Sequence, residues 1–145
     1  MFYLVSNMQY VDADDLEPGE NGGYYYSGKP FTGIARDLLE NGMVIFEMTI
    51  SDGKLNGPST SWYANGNLEW QKMFRCGYPE GSWSEYYEDG KLKIEATLEL
   101  GFVLESTEWH PDGNISTYKM SKQDPEFKSL ELMRAIKWKC GWRPD

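Results

Sequence analysis

Few side chains in this sequence could do chemistry, and they are scattered. The chain holds one histidine, His110, and two cysteines, Cys76 and Cys140. A catalytic imidazole needs a group that orients it and a proton within reach. His110 instead falls in a column otherwise filled by Leu39, Tyr63 and Tyr87, so it reads as a substituted hairpin residue. No Cys/His set has metal-ligand spacing. No base is indicated beside Ser82, Ser84 or Ser106. Adjacent carboxylates such as Glu88 and Asp89 could pair for acid–base work, but on an acidic surface they read as solvated. The glycines do not form a phosphate-cradling loop ahead of a helix. Two cysteines are too few for a disulfide framework, and each is expected as a free thiol. The residue inventory therefore predicts no catalytic residues, no cofactor and no metal site.

The elements that would carry any binding surface come from an internal repeat. Gly33, Gly57 and Gly81 are 24 residues apart. So are Gly42, Gly66 and Gly90, with Gly113 following at 23, and so are Gly53, Gly77 and Gly101. One period in three interleaved series marks a repeat architecture. Asn41-Gly42, Asn65-Gly66, Asp89-Gly90 and Asp112-Gly113 are strong hairpin signals, expected as two-residue type I′ turns. Aliphatic residues follow each of them at Val44, Leu68, Leu92 and Ile115, then Phe46, Trp70, Ile94 and Thr117. Each unit reads as strand, tight turn, strand and a second glycine-rich turn. The fourth is degenerate and one residue short around Phe102–Glu105, as a terminal repeat would be.

The chain is expected as a single domain over 1–145: an N-terminal strand and acidic loop over 1–23, hairpin repeats over 24–120, and a C-terminal helix over 124–141. Within the first part, Phe2–Val5 and Met8–Val11 are candidates for a short strand or strand pair. In the helix, Asp124 suits the N-cap and Pro125 the first helical position. Phe127, Leu130, Met133, Ile136 and Cys140 form its apolar stripe, and Gly141 suits its end. Lys137, Lys139 and Arg143 complement its dipole. It reads as a cap over the last sheet edge or a sheet face. The fold class is mainly β: antiparallel hairpins in an elongated twisted sheet, plus this helix.

With two-residue turns, Tyr63 pairs with Leu68, Ser61 with Trp70 and Trp62 with Glu69. That register puts Val44, Phe46, Leu68, Trp70, Leu92, Ile94 and Ile115 on one apolar face. Leu38, Trp62, Tyr86 and Trp109 then form a stripe on the other, among Thr60, Ser84, Glu69 and Gln71. Such a stripe reads either as a binding surface, since Trp and Tyr dominate interface hot spots, or as stacked core. A one-residue slip would invert the faces.

Charge narrows the partner. Lys and Arg total 14, Asp and Glu 23, for a net charge of −9 over 145 residues. Residues 1–118 carry 19 acids against 7 bases, a net of −12, and residues 119–145 carry 4 acids against 7 bases, a net of +3. Such a surface repels phosphate backbones and anionic headgroups, so neither direct nucleic-acid binding nor membrane binding is expected. A basic protein partner is favoured, although acidity also serves solubility alone. No apolar run reaches the length of a membrane-spanning helix, and Met1–Ser6 lacks the basic flank and length of a signal peptide; a cytoplasmic location is expected.

The units Gly57-Pro-Ser-Thr-Ser-Trp-Tyr-Ala-Asn-Gly66 and Gly81-Ser-Trp-Ser-Glu-Tyr-Tyr-Glu-Asp-Gly90 resemble the bacterial variant of the MORN repeat. Tyr24-Tyr-Tyr-Ser-Gly-Lys-Pro-Phe-Thr-Gly33 resembles the lead-in of YwqK-family antitoxins of toxin–antitoxin systems. The resemblance spans roughly residues 24–120. It implies successive β-hairpins and an immunity protein that binds and neutralises a cognate toxin, commonly one acting on nucleic acid or nucleotides. It transfers no catalytic or contact residue. The charge pattern adds that the toxin is basic, blocked at its active site or substrate cleft. Trp62, Tyr86 and Trp109 are the expected anchors, with Glu85, Glu88, Asp89 and Glu108 set against phosphate-binding positions of the toxin. The rival expectation is a MORN-repeat scaffold or membrane-associated interaction module.

Overall fold

A computed structural model describes residues 8–19 and 22–136. Phe2–Val5, Cys140, Gly141, Lys137, Lys139 and Arg143, named above, lie outside the described residues.

The repeat builds one long sheet. Its strands are β1 (Tyr10–Asp12), β5 (Gly33–Leu38), β6 (Val44–Ser51), β7 (Lys54–Trp62), β8 (Leu68–Arg75), β9 (Tyr78–Tyr86), β10 (Leu92–Glu99), β11 (Phe102–Trp109) and β12 (Ile115–Lys119). They stand in that order, so β5 to β12 form a continuous antiparallel meander. Only β1 is parallel to its neighbour, β5. A second, three-stranded sheet orders β2 (Glu17–Pro18), β3 (Tyr24–Tyr26) and β4 (Lys29–Pro30). The acidic stretch from Asp12 is thus no free linker. A 3₁₀ turn at Ala13–Asp15 and β2 bring Ala13 and Leu16 against the core of Val11, Phe31, Ala35, Met48 and Ile50.

Two kinds of turn alternate, and the Asn/Asp-Gly turns are not the two-residue type I′ turns that the sequence predicts. At the Asn/Asp-Gly positions the closing residues are Leu39 and Met43, Tyr63 and Asn67, Tyr87 and Lys91, His110 and Asn114. Each loop has three residues. Its glycine N–H donates back to the first closing residue, and the glycine takes a positive φ while the Asn or Asp before it does not. This is a type I turn followed by a left-handed residue. The Asn or Asp braces the loop through its side chain instead. Oδ1 of Asn41, Asn65, Asp89 and Asp112 accepts the N–H two residues on, at 2.9 to 3.0 Å. The two-residue turns with positive φ at both positions lie between repeats, at Ser27-Gly28, Asp52-Gly53, Cys76-Gly77 and Leu100-Gly101.

The longer loop shifts the register. Trp62 pairs with Leu68, not Glu69, and Tyr63 with Asn67, not Leu68. Ser61 still pairs with Trp70, because Glu69 is an extra residue that bulges out of the ladder. Ile45 and Lys93 are the equivalent extra residues in β6 and β10; β12 has none. Leu38, Trp62, Tyr86 and Trp109 therefore pair directly with Val44, Leu68, Leu92 and Ile115. Direct partners project to the same side of a sheet. These aliphatic residues share a face with the aromatic stripe, and only Phe46, Trp70 and Ile94 remain on the opposite one.

Bonds between units repeat with the sequence. The amides of Gly53, Gly77 and Gly101 donate at 2.8 Å to the carbonyls of Phe31, Leu55 and Pro79. The amides of Asp52, Cys76 and Leu100 donate to side chains of Thr32, Asn56 and Glu80. The hydroxyls of Tyr63 and Tyr87 each donate at 2.8 Å to the backbone of the next unit, at Tyr86 and Trp109. Cys76 is disulfide-bonded rather than a free thiol. Helix α1 (Pro125–Ile136) begins where expected. The Asp124 carboxylate, however, accepts from the Ser121 N–H at 2.6 Å and the Tyr118 hydroxyl at 3.3 Å, turning back to β12. Leu130 is fully buried, and Arg134 grips Glu99 of β10 with two 2.8 Å bonds.

Candidate partner-binding surface

The register sorts the long sheet into two unlike faces. One runs through Ala35, Met48, Ser59, Lys72, Trp83, Ala96, Ser106 and Tyr118. It carries the core at its N-terminal end. Phe46 and Trp70 meet on it with ring centroids 5.9 Å apart, and Lys72 Nζ lies 4.3 Å over the Trp83 ring. The other face is a ladder of polar side chains: Arg36, Glu47, Thr60, Gln71, Ser84, Glu95, Thr107 and Thr117. Gln71 donates to the buried Thr60 hydroxyl at 3.1 Å, so part of this face is internally satisfied.

All seven residues expected to contact a partner lie at the end of the sheet where the Asn/Asp-Gly turns sit. Trp62, Tyr86 and Trp109 are each the last residue of a strand and each half-buried. They stand on alternate strands of the polar face, with an aliphatic partner beside each. The four acids differ. Glu85 is held by Lys93 at 2.6 Å, and that bond raises the Lys93 pKa. Asp89 caps its turn and lies 3.5 Å from Lys91; the Lys91 N–H it accepts lowers its pKa. Glu88 offers its backbone carbonyl to Asn65 and Asn67. Glu108 lies 3.8 Å from His110, whose other ring nitrogen meets Ser116 at 2.9 Å. Glu85 and Asp89 thus have structural work at hairpins, which leaves Glu88 and Glu108 the freer carboxylates of the set.

The fold also gathers groups that are far apart in sequence. Ser82, Ser84, Glu95, Thr97, Glu105, Thr107, Thr117 and Lys119 line a concavity of about 640 Å³ on the polar face. The Asp12, Asp14 and Asp37 carboxylates come within 4.8 Å of one another. Burial, then Asp14 and Asp12, raises the Asp37 pKa. Asp12 and Asp14 belong to a segment that reads as a loop, so its docking beside β5 has no sequence signal. The concavity is legible only once the register is known, because no local pattern tells which Thr and Glu of four strands share a side.

Residues 79–99 match the MORN repeat variant family. The matched segment is the β9–β10 hairpin from Pro79 to Glu99. A search of curated proteins finds no match to the chain. The chain thus carries a MORN repeat variant, and the same turn and inter-unit bond geometry recurs through the other hairpins of the sheet.

Proposed function

We propose that this protein is an interaction module of antitoxin type, which binds a basic toxin acting on nucleic acid and masks its active site or substrate cleft. The observation that carries the reading is the union of a long, open β-surface with a net charge of −12 over residues 1–118. A cleft built for nucleic acid must be positive, and a surface of this sign is its electrostatic complement. The similarity of Tyr24–Gly33 to antitoxin lead-ins points the same way. The work is done by binding: hairpin ends present Trp62, Tyr86 and Trp109 on the polar face, with Glu88 in a turn beside them and Glu108 on the opposite face at the same end of the sheet, without bond-making chemistry. The proposal sets the pair in the cytoplasm.

The test is affinity capture of the tagged chain from its own cells at moderate salt, with mass spectrometry of what co-purifies. The reading expects one stoichiometric basic polypeptide that is toxic when expressed alone. Recovery of lipid or envelope proteins, together with sedimentation on anionic vesicles, would replace it with a scaffold role.

A further inference from the structure

The concavity on the polar face does not end at the strands. A second recess of about 310 Å³ is lined by Thr97, Leu104, Glu105, Lys119, Met120, Phe127, Leu130 and Arg134. Thr97, Glu105 and Lys119 line both, so the two form one trough. Its floor is a patch of short hydroxyls on β9 to β12. Its far end is an apolar recess beneath α1.

The charges within it are unevenly matched. Glu95 and Glu105 are exposed and diagonal to one another on neighbouring strands, since Glu95 pairs with Thr107 and Glu105 with Thr97. Neither has an ion-pair partner within 4 Å among the described residues. Arg134 is already committed to Glu99. Lys119 is the one remaining cation of the lining, opposite Glu105 in register. The floor spans four strands at about 4.8 Å each, which is the reach of four or five extended residues.

We propose that this trough binds an extended, basic segment of the partner. Its lysine or arginine side chains meet Glu95 and Glu105, its backbone meets the hydroxyls of Ser84, Thr107 and Thr117, and one apolar side chain enters the recess beside Phe127 and Leu130. Charge complementarity selects the occupant: an acidic segment would meet two carboxylates, and a wholly polar one would leave the recess unfilled. The inference rests on the partner-binding reading above and names where, and by what chemistry, that partner is held.

The test needs no toxin. The full chain is titrated with a capped hexapeptide of alternating lysine and leucine, and separately with its glutamate–leucine counterpart, while backbone amide shifts are followed by NMR. The lysine peptide is expected to move Glu95, Thr97, Glu105, Thr107, Thr117 and Leu130. Its affinity should fall at least fivefold in a Glu95→Lys/Glu105→Lys variant, and by about as much in Phe127→Ala. Glu95→Gln/Glu105→Gln, a milder pair, guards against misfolding of the first and should give an intermediate loss. The glutamate peptide should move nothing in the trough. Shifts spread over the acidic surface, equal responses to both peptides, or indifference to the variants would each overturn the proposal. Capture of a toxin alongside such a failure would leave the antitoxin reading standing and locate its interface elsewhere.

Discussion

Asp37 shows what the fold asks of one residue. Its carboxyl lies within 4.8 Å of those of Asp12 and Asp14, at the 3₁₀ turn of the N-terminal segment. Burial and then these neighbours raise its pKa, so folding makes the charged form less favourable than it is in the unfolded chain. Stability linked to that proton is fully present below the ordinary carboxyl pKa of about 4 and is lost as pH rises through the raised value. At neutral pH the charged group is a net cost. Asp37→Asn should therefore stabilise the protein at pH 7, by several tenths of a kcal/mol after allowing for solvent screening. The advantage should vanish below about pH 4. Urea melts at pH 7 and pH 3.5 measure both; an equal effect at the two would mean that charge is not the cause. Cys76 is a plainer case of context. A cysteine in an inter-repeat turn carries no pairing signal of its own, so for Cys76 the free-thiol expectation failed on information that only the folded chain holds.

At the scale of elements, the period of 24 made the hairpins, their order and the start of α1 legible, because glycine spacing and apolar alternation are local properties. The turn type was not. Asn-Gly suits both a two-residue turn and a three-residue loop, and the sequence does not state which closing pair bonds. The bulges at Ile45, Glu69 and Lys93 then absorb the difference, so the pairing beyond each bulge keeps the expected register while the pairing at the turn does not. Gly66 tests the assignment. It sits at φ +87 with open space around a would-be Cβ. Gly66→Ala should cost about 1–2 kcal/mol, the penalty of left-handed backbone alone. Asn65→Gly should be milder, since Asn65 has ordinary φ and loses only its bond to the Asn67 N–H. Chemical denaturation that ranked Asn65→Gly as the worse of the two would contradict the three-residue loop. The sheet's last edge offers a second check. The Met120 N–H bonds to Leu104 across β11; by alternation the Ile115, Thr117 and Lys119 amides point away from the sheet. Hydrogen exchange should find Thr117 and Lys119 nearly unprotected, and Ser116 and Tyr118 slower. Protection at all four would reveal a strand or a second molecule paired along β12.

The whole molecule is a row of hairpins in which each strand touches mainly its neighbours, so its surface is large for its mass and its electrostatics are spread along it. That arrangement makes net charge, rather than any single ion pair, the handle for recognition. The ion pairs already made, such as Glu85 with Lys93 in the sheet or Arg134 of α1 with Glu99 of β10, are spent on the fold. The surplus of acids over residues 1–118 is what an approaching partner senses. Steering of this kind acts on encounter and is screened within about 10 Å at 0.1 M salt, whereas the short-range contacts that hold a complex are screened less. For the captured basic partner, the association rate should therefore fall roughly 10- to 100-fold between 50 mM and 500 mM salt, with a much smaller change in the dissociation rate. Stopped-flow measurement at four salt concentrations separates the two. An association rate indifferent to salt would remove charge from the recognition, and would leave the aromatic hairpin ends and the apolar recess under α1 as the features that select the partner.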